Sequence, residues 1–131
     1  MPIAESKSVV RTADVKARAK ELALCVMQLV DALPRTLQDR AIAKQIIRSA
    51  TSVDANCPAA CRARLRAEII TRIGVVGGDT DESCFWLELI IDSWLLSEER
   101  IRPLLSETRK LVAIMAASRK SAIANRKSAI Q

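Results

Sequence analysis

The sequence predicts an all-α protein, an antiparallel up-and-down four-helix bundle with a long third helix bent near Gly77-Gly78, and three observations carry the prediction. Half of the 131 residues are apolar, but only Phe85, Trp86 and Trp94 are aromatic and Gly numbers three. The remainder is dominated by Ala, Leu, Ile, Arg, Glu and Lys, a mix that favours helix over sheet. Apolar residues recur at steps of three and four along four segments, the period of a helix with one buried face. The breaks between the segments are short, so consecutive helices pack as antiparallel neighbours. A chain of this length is one domain, residues 1–131, able to bury about two-thirds of its unfolded surface. The N-terminus (about 1–12) and a basic C-terminal tail (about 119–131) are expected to add little to that core.

The first stripe is Val15, Ala19, Leu22, Val26, Leu29 and Leu33, ended at Leu33-Pro34 because a residue before proline is pushed out of the α region. Ala43, Ile46, Ala50, Val53 and Cys57 follow, widened by Ile47, and Pro58 is expected to bend or restart that helix near Asn56-Cys57. Leu65, Ile69, Ile73 and Val76 open a third stripe, resumed as Cys84, Leu87, Ile91 and Trp94. Ser97 with Glu98 and Glu99 suits a helix start, although Pro103 also fits a first turn. Ile101, Leu104, Leu111 and Met115 carry the last stripe, with Leu105 and Val112 beside it.

The stretch GVVGGDTDESCFWLEL at 74–89 resembles a phosphate-binding loop, and its chemistry argues against one. A P-loop requires a lysine and a hydroxyl after its last glycine, whereas Gly78 is followed by Asp-Thr-Asp-Glu, which would repel phosphate. A dinucleotide fingerprint needs a preceding strand, and here a helical stripe precedes the glycines. Asp79 and Glu82 have capping-box spacing, so the stretch is expected to bend or restart a helix. Adjacent Asp81 and Glu82 diverge on a helix and make a poor acid/base pair.

Cys25, Cys57, Cys61 and Cys84 are expected to be reduced, small, buried residues. There is no histidine, and only Cys57 and Cys61 lie close enough in sequence to share a metal. No stretch approaches the roughly 20 apolar residues of a membrane span and no leader is evident, so a cytoplasmic protein without membrane contact is expected. No cofactor is implied.

Charge is unevenly distributed along the chain. Residues 1–20 hold five basic and two acidic side chains, residues 81–108 two and seven, and residues 109–131 six basic and no acidic ones. Arg11, Lys16, Arg18, Lys20, Arg62, Arg64, Arg66, Arg72, Arg109, Lys110, Arg119, Lys120, Arg126 and Lys127 are therefore the candidate contacts to nucleic acid or a partner. With so few aromatic residues to stack on bases, contact would be to backbone and shape. The motif FWLEL is apolar on more than one face and needs a second surface to bury against. Phe85, Trp86, Leu89 and Trp94 are the candidate subunit interface. The two tryptophans lie eight residues apart, a spacing that favours core, and a ring left exposed would anchor a neighbouring subunit.

DESCFWLELI at 81–90, LL at 95–96 and LLSETRKLVAIM at 104–115, with LP at 33–34, IIRSATSVDAN at 46–56 and IGVV at 73–76, resemble a four-helix-bundle family. That family includes the proteins encoded in 23S ribosomal RNA intervening sequences and the accessory protein of diversity-generating retroelements. The resemblance covers nearly the whole chain after about Asp14. It implies an up-and-down bundle assembled as a ring-like homopentamer, without enzymatic activity. The chain departs from the family pattern at Ala59, where the segment after Asn56 usually carries an acidic residue, and at Gly77-Gly78, where relatives continue a helix with ordinary residues.

Two functions fit these residues. One is a non-enzymatic oligomeric adaptor binding structured RNA, a protein partner such as a reverse transcriptase, or both, through basic surfaces. The alternative is a purely structural, self-assembling or protein-binding bundle with no nucleic-acid role.

Overall fold

The computed structural model describes residues 12–62 and 66–130, with side chains over 14–57 and 67–125. These residues form four α-helices: α1 (Thr12–Asp31), α2 (Leu37–Arg62), α3 (Arg66–Asp92) and α4 (Glu98–Ile130). Each helix packs on its sequence neighbours, and α1 closes the bundle against α4. The α1–α2 and α3–α4 turns therefore lie at one end, and the N-termini of α1 and α3 lie at the other with the C-termini of α2 and α4.

The apolar stripes become the core. Val15, Ala19, Leu22, Val26, Leu29 and Leu33 of α1 and its following turn, Ile46, Ala50, Val53 and Cys57 of α2, Val76, Cys84, Leu87 and Ile90 of α3, and Ile101, Leu105, Leu111 and Met115 of α4 form one buried cluster. Early in α3 the inward position is Ile70, with Ile69 half-buried, and later Ile90 replaces Ile91. Leu65, the expected start of that stripe, lies outside the described residues.

Both expected restarts are absent. Helix α2 runs through Pro58, which removes only one backbone donor, and its flanking turns hold the helix together. Helix α3 runs through Gly77-Gly78 with no glycine at positive φ, so the glycines neither start nor end a helix. Asp79 consequently is not an N-cap. Its carboxylate accepts a hydrogen bond from the Ser52 hydroxyl of α2. Helix α4 begins after Ser97, whose carbonyl accepts from the Arg100 and Ile101 amides at 3.1 and 3.3 Å, and Pro103 lies inside the helix.

A polar ladder fixes the register of α2 against α3. Ser49 and Ser83, both fully buried, share a hydroxyl–hydroxyl bond of 2.8 Å. One turn along, Asn56 donates to the carbonyl and hydroxyl of Ser52 at 2.8 and 3.0 Å, and Ser52 in turn reaches Asp79. In the other direction the Glu82 carboxylate accepts from Arg48 and, at 3.0 Å, from the Trp86 indole. Sliding one helix along the other would break the Ser49–Ser83, Ser52–Asp79 and Arg48–Glu82 contacts that cross between them, so the ladder opposes slippage that apolar contacts alone would tolerate.

Two helix ends show why the turns form. Thr36 caps α2: its hydroxyl accepts from the Asp39 amide at 3.2 Å and donates to the Asp39 carboxylate at 2.6 Å. Helix α3 ends in a Schellman arrangement. The Leu95 amide returns to the Ile90 carbonyl at 3.2 Å and the Trp94 amide to Ile91 at 3.0 Å. The residue between helix and turn in that motif is left-handed and usually Gly, and here it is Trp94, with φ of 60°. Its side chain is 91% exposed, which corrects the expectation that Trp94 continues the core stripe. Replacing Trp94 with Gly removes the left-handed strain and little buried surface. We expect Trp94→Gly to raise stability by about 1 kcal/mol, seen as a higher denaturant midpoint at unchanged slope.

Candidate nucleic-acid and partner surfaces

Antiparallel alternation gathers the cations that the sequence scatters. The start of α3 with Arg72 and the second half of α4 with Arg119 and Lys120 share the end opposite the two turns, whereas the basic turns of the shorter α1 lie level with the first half of α4, where Arg18 meets Glu107. Arg11 and Arg64 lie outside the described residues. Arg62, Arg66, Arg126 and Lys127 are placed on helices at that end by backbone alone.

The ion pairs divide the candidates. Arg18 meets Glu107 at 3.4 Å, Arg109 meets Glu88 at 2.9 Å and Lys110 meets Glu107 at 3.2 Å. These three tie α1 or α3 to α4, or brace α4 itself, and being well exposed each contributes about 0–1 kcal/mol. Lys16, Lys20, Arg72, Arg119 and Lys120 are exposed and have no ion-pair partner among the described residues. They are the candidates free to meet an external anion, and Arg35, Arg40, Lys44 and Arg100, nearer the turn end, are equally exposed and also have no ion-pair partner among the described residues.

Two grooves flank α4. One, of about 460 Å³, lies between α1 and α4 over Leu22, Cys25, Leu29, Pro103, Leu104 and Leu111. The other, of about 650 Å³, lies between α3 and α4, lined by Gly74, Gly77 and Gly78 on one side and Met115 on the other, with Gly77 opposite Met115 and with Arg119 and Lys120 at the edge.

The candidate interface residues separate as well. Phe85 is 53% exposed, and its ring meets Trp86 edge-on at a centroid distance of 4.8 Å. Trp86 and Leu89 are half-buried, and Trp86 packs against the core. Trp94 stands apart at the turn end, not with this cluster. Sequence periodicity did not single out Leu24, Met27, Leu37 and Val75, which are also exposed.

Of the cysteines, Cys57 and Cys84 are buried as expected, whereas Cys25 is half-exposed and its thiol donates to Glu21 at 3.4 Å. The side chain of Cys61 lies outside the described ones. Burial pushes the Cys84 thiol up to about 11, helped by the Asp81 and Glu88 carboxylates and opposed by Arg109. Burial also raises the Cys25 thiol, with the Glu21 carboxylate adding to the effect. Thiols held protonated are poor nucleophiles and metal ligands. Among the described residues no group of three or more potential ligands converges. No described helix is long and apolar enough to cross a membrane.

These features define an all-α up-and-down four-helix bundle with exposed, unpaired cations at both ends, those of the end opposite the two turns bordering the α3–α4 groove. The chain belongs to the 23S rRNA-intervening sequence protein family, whose model matches residues 11–117. A solved structure from Bacteroides thetaiotaomicron, described as a protein of unknown function from the S23 ribosomal protein family, has the same fold. It is similar at a TM-score of 0.77 and 25% identity, over 85% of this chain and 99% of that one. No curated protein matches this chain.

Proposed function

We propose that the protein is a non-enzymatic, oligomeric adaptor that binds the backbone of structured RNA through its basic end. The observation carrying this reading is the set of unpaired cations, Arg72, Arg119 and Lys120, that the antiparallel packing of α3 on α4 brings to one end, with Lys16 and Lys20 exposed and unpaired further along α1. The name of the family, which refers to an intervening sequence of 23S rRNA, supports RNA as the anion. The exposed Phe85 edge and the half-buried Trp86 and Leu89 suit a subunit contact, because an apolar helix face gains stability only when covered. Assembly as a homopentamer would raise the formal charge from +6 per chain to about +30 per particle. A reverse transcriptase, suggested by the resemblance to retroelement accessory proteins, is a partner compatible with this role.

The test joins light scattering with RNA binding. A pentamer is expected, along with association to a mixed-sequence RNA hairpin whose affinity falls linearly with salt on logarithmic axes, since each neutralised phosphate releases a counterion. A monomer would remove the ring. An intact oligomer with no RNA binding, or with binding indifferent to salt, would leave a structural bundle whose charge serves solubility.

A further inference from the structure

We propose that the groove between α3 and α4 beside Gly77 and Gly78 holds the sugar–phosphate backbone of the bound RNA, an inference that rests on the RNA-binding reading above. The groove encloses about 650 Å³, with apolar walls from Ile73, Val112, Met115 and Ile123 and two cations, Arg119 and Lys120, along its edge. Neither cation has a hydrogen-bond or ion-pair partner among the described residues, whereas Arg109 and Lys110, ten residues earlier on α4, are both engaged by carboxylates.

The glycines explain the depth of the groove. They cost the helix propensity and none adopts a positive φ, so backbone conformation does not require them. What they supply is space. A Cβ at Gly78 would meet nothing within 4 Å, so the groove is open there. A Cβ at Gly74 would sit 3.4 Å from Arg119 Nε, so the bare glycine leaves room for the arginine to cross α3. Asp79, the carboxylate next to the glycines, is taken up by Ser52 of α2.

The charge pattern fits a repeating anion better than a single one. No acidic residue occurs from 109 to 131. Arg126 and Lys127 follow Arg119 and Lys120 by seven residues, two turns or about 10.5 Å along α4. Such a row of cations tracks a polyanion, whereas a lone phosphate or carboxylate is held by groups converging on one point. The apolar walls accept sugar edges without competing for the cations.

Gly78 offers a probe that leaves the core alone, because its added side chain meets open space on a helical backbone. Gly78→Glu should weaken binding of the RNA hairpin at least tenfold in fluorescence anisotropy, and Gly78→Lys should tighten it severalfold. Both should melt no lower than the parent, since either residue improves helix propensity. Gln38→Glu changes the net charge as Gly78→Glu does, but at the turn end of the bundle, and should alter affinity less than twofold. Equal effects of Gly78→Glu and Gln38→Glu would overturn the groove while leaving RNA binding by the protein standing. Absence of salt-dependent binding by the parent chain would instead sink the RNA reading and the groove with it. Tighter binding of poly-glutamate than of the hairpin, competed by the same Gly78→Glu substitution, would assign the groove to an acidic protein and overturn the proposal.

Discussion

Reversing Arg119, Lys120, Arg126 and Lys127 to glutamate is expected to reduce RNA affinity by a factor of 100 or more at low salt and to flatten its salt dependence. Four substitutions change the chain's charge by eight and remove four of the six basic side chains after Glu107. Each lost phosphate contact lowers the slope of log affinity against log salt by about one, so a drop of two to four is expected. Helicity should change little, because Arg119 and Lys120 are exposed and no described residue after Met115 belongs to the buried cluster. Circular dichroism beside a salt titration of anisotropy separates the two outcomes. An unchanged slope would show that the RNA meets α1 and α3 and not α4.

Leu87→Ala is expected to be the most damaging single truncation to the fold. Leu87 is fully buried in α3, the helix that packs on both α2 and α4. Removing its branched end costs about 2–5 kcal/mol, from lost burial and the cavity left behind. Set against a typical total of about 5–15 kcal/mol for a domain, that is a large fraction. A denaturant midpoint shifted at constant slope would measure it, and a shift below about 1 kcal/mol would mean that the site collapses freely around the smaller side chain.

The helices and most of the core were legible because burial imposes a 3.6-residue period. Val26, Ile46, Val53, Leu87 and Ile101 fall where their stripes place them. The errors have separate causes. Starting the third stripe from Leu65 displaced it by one residue, so Ile69 was favoured over the buried Ile70. Ser49, Thr80, Ser83 and Thr108 read as polar, yet all are buried, because each hydroxyl bonds to a carbonyl three or four residues earlier on its own helix. Gly77-Gly78 and Pro58 leave a bend and a restart both open, and packing on the neighbouring helices decides against the restart, because local propensity is overridden by it. Trp94 looked like the next core position, since nothing in periodicity announces a left-handed residue when Gly is absent.

The candidate surface was legible only as a tally. Segment charge located the basic stretches, but whether a cation is spent internally depends on which residue faces it across the bundle. Arg18 and Glu107 are 89 positions apart, and only the register of α1 on α4 brings them together. Arg119 and Lys120 differ from Arg109 and Lys110 by the same criterion, although all four read alike in sequence.

The seam between α1 and α4 has a consequence for how the molecule comes to exist. Every other helix contact joins neighbours in the chain, so α1 with α2, α2 with α3 and α3 with α4 can each zip as a local hairpin, with short loops to close and a fast search. Only α1 must wait for the distant α4. During synthesis α1, made before the other three helices, is thus the last of the four to be enclosed, and until α4 arrives its Leu22, Cys25 and Leu29 border stays open to water and to anything that binds apolar surface. The moment of commitment to the finished bundle is the arrival of the helix that also carries the row of cations.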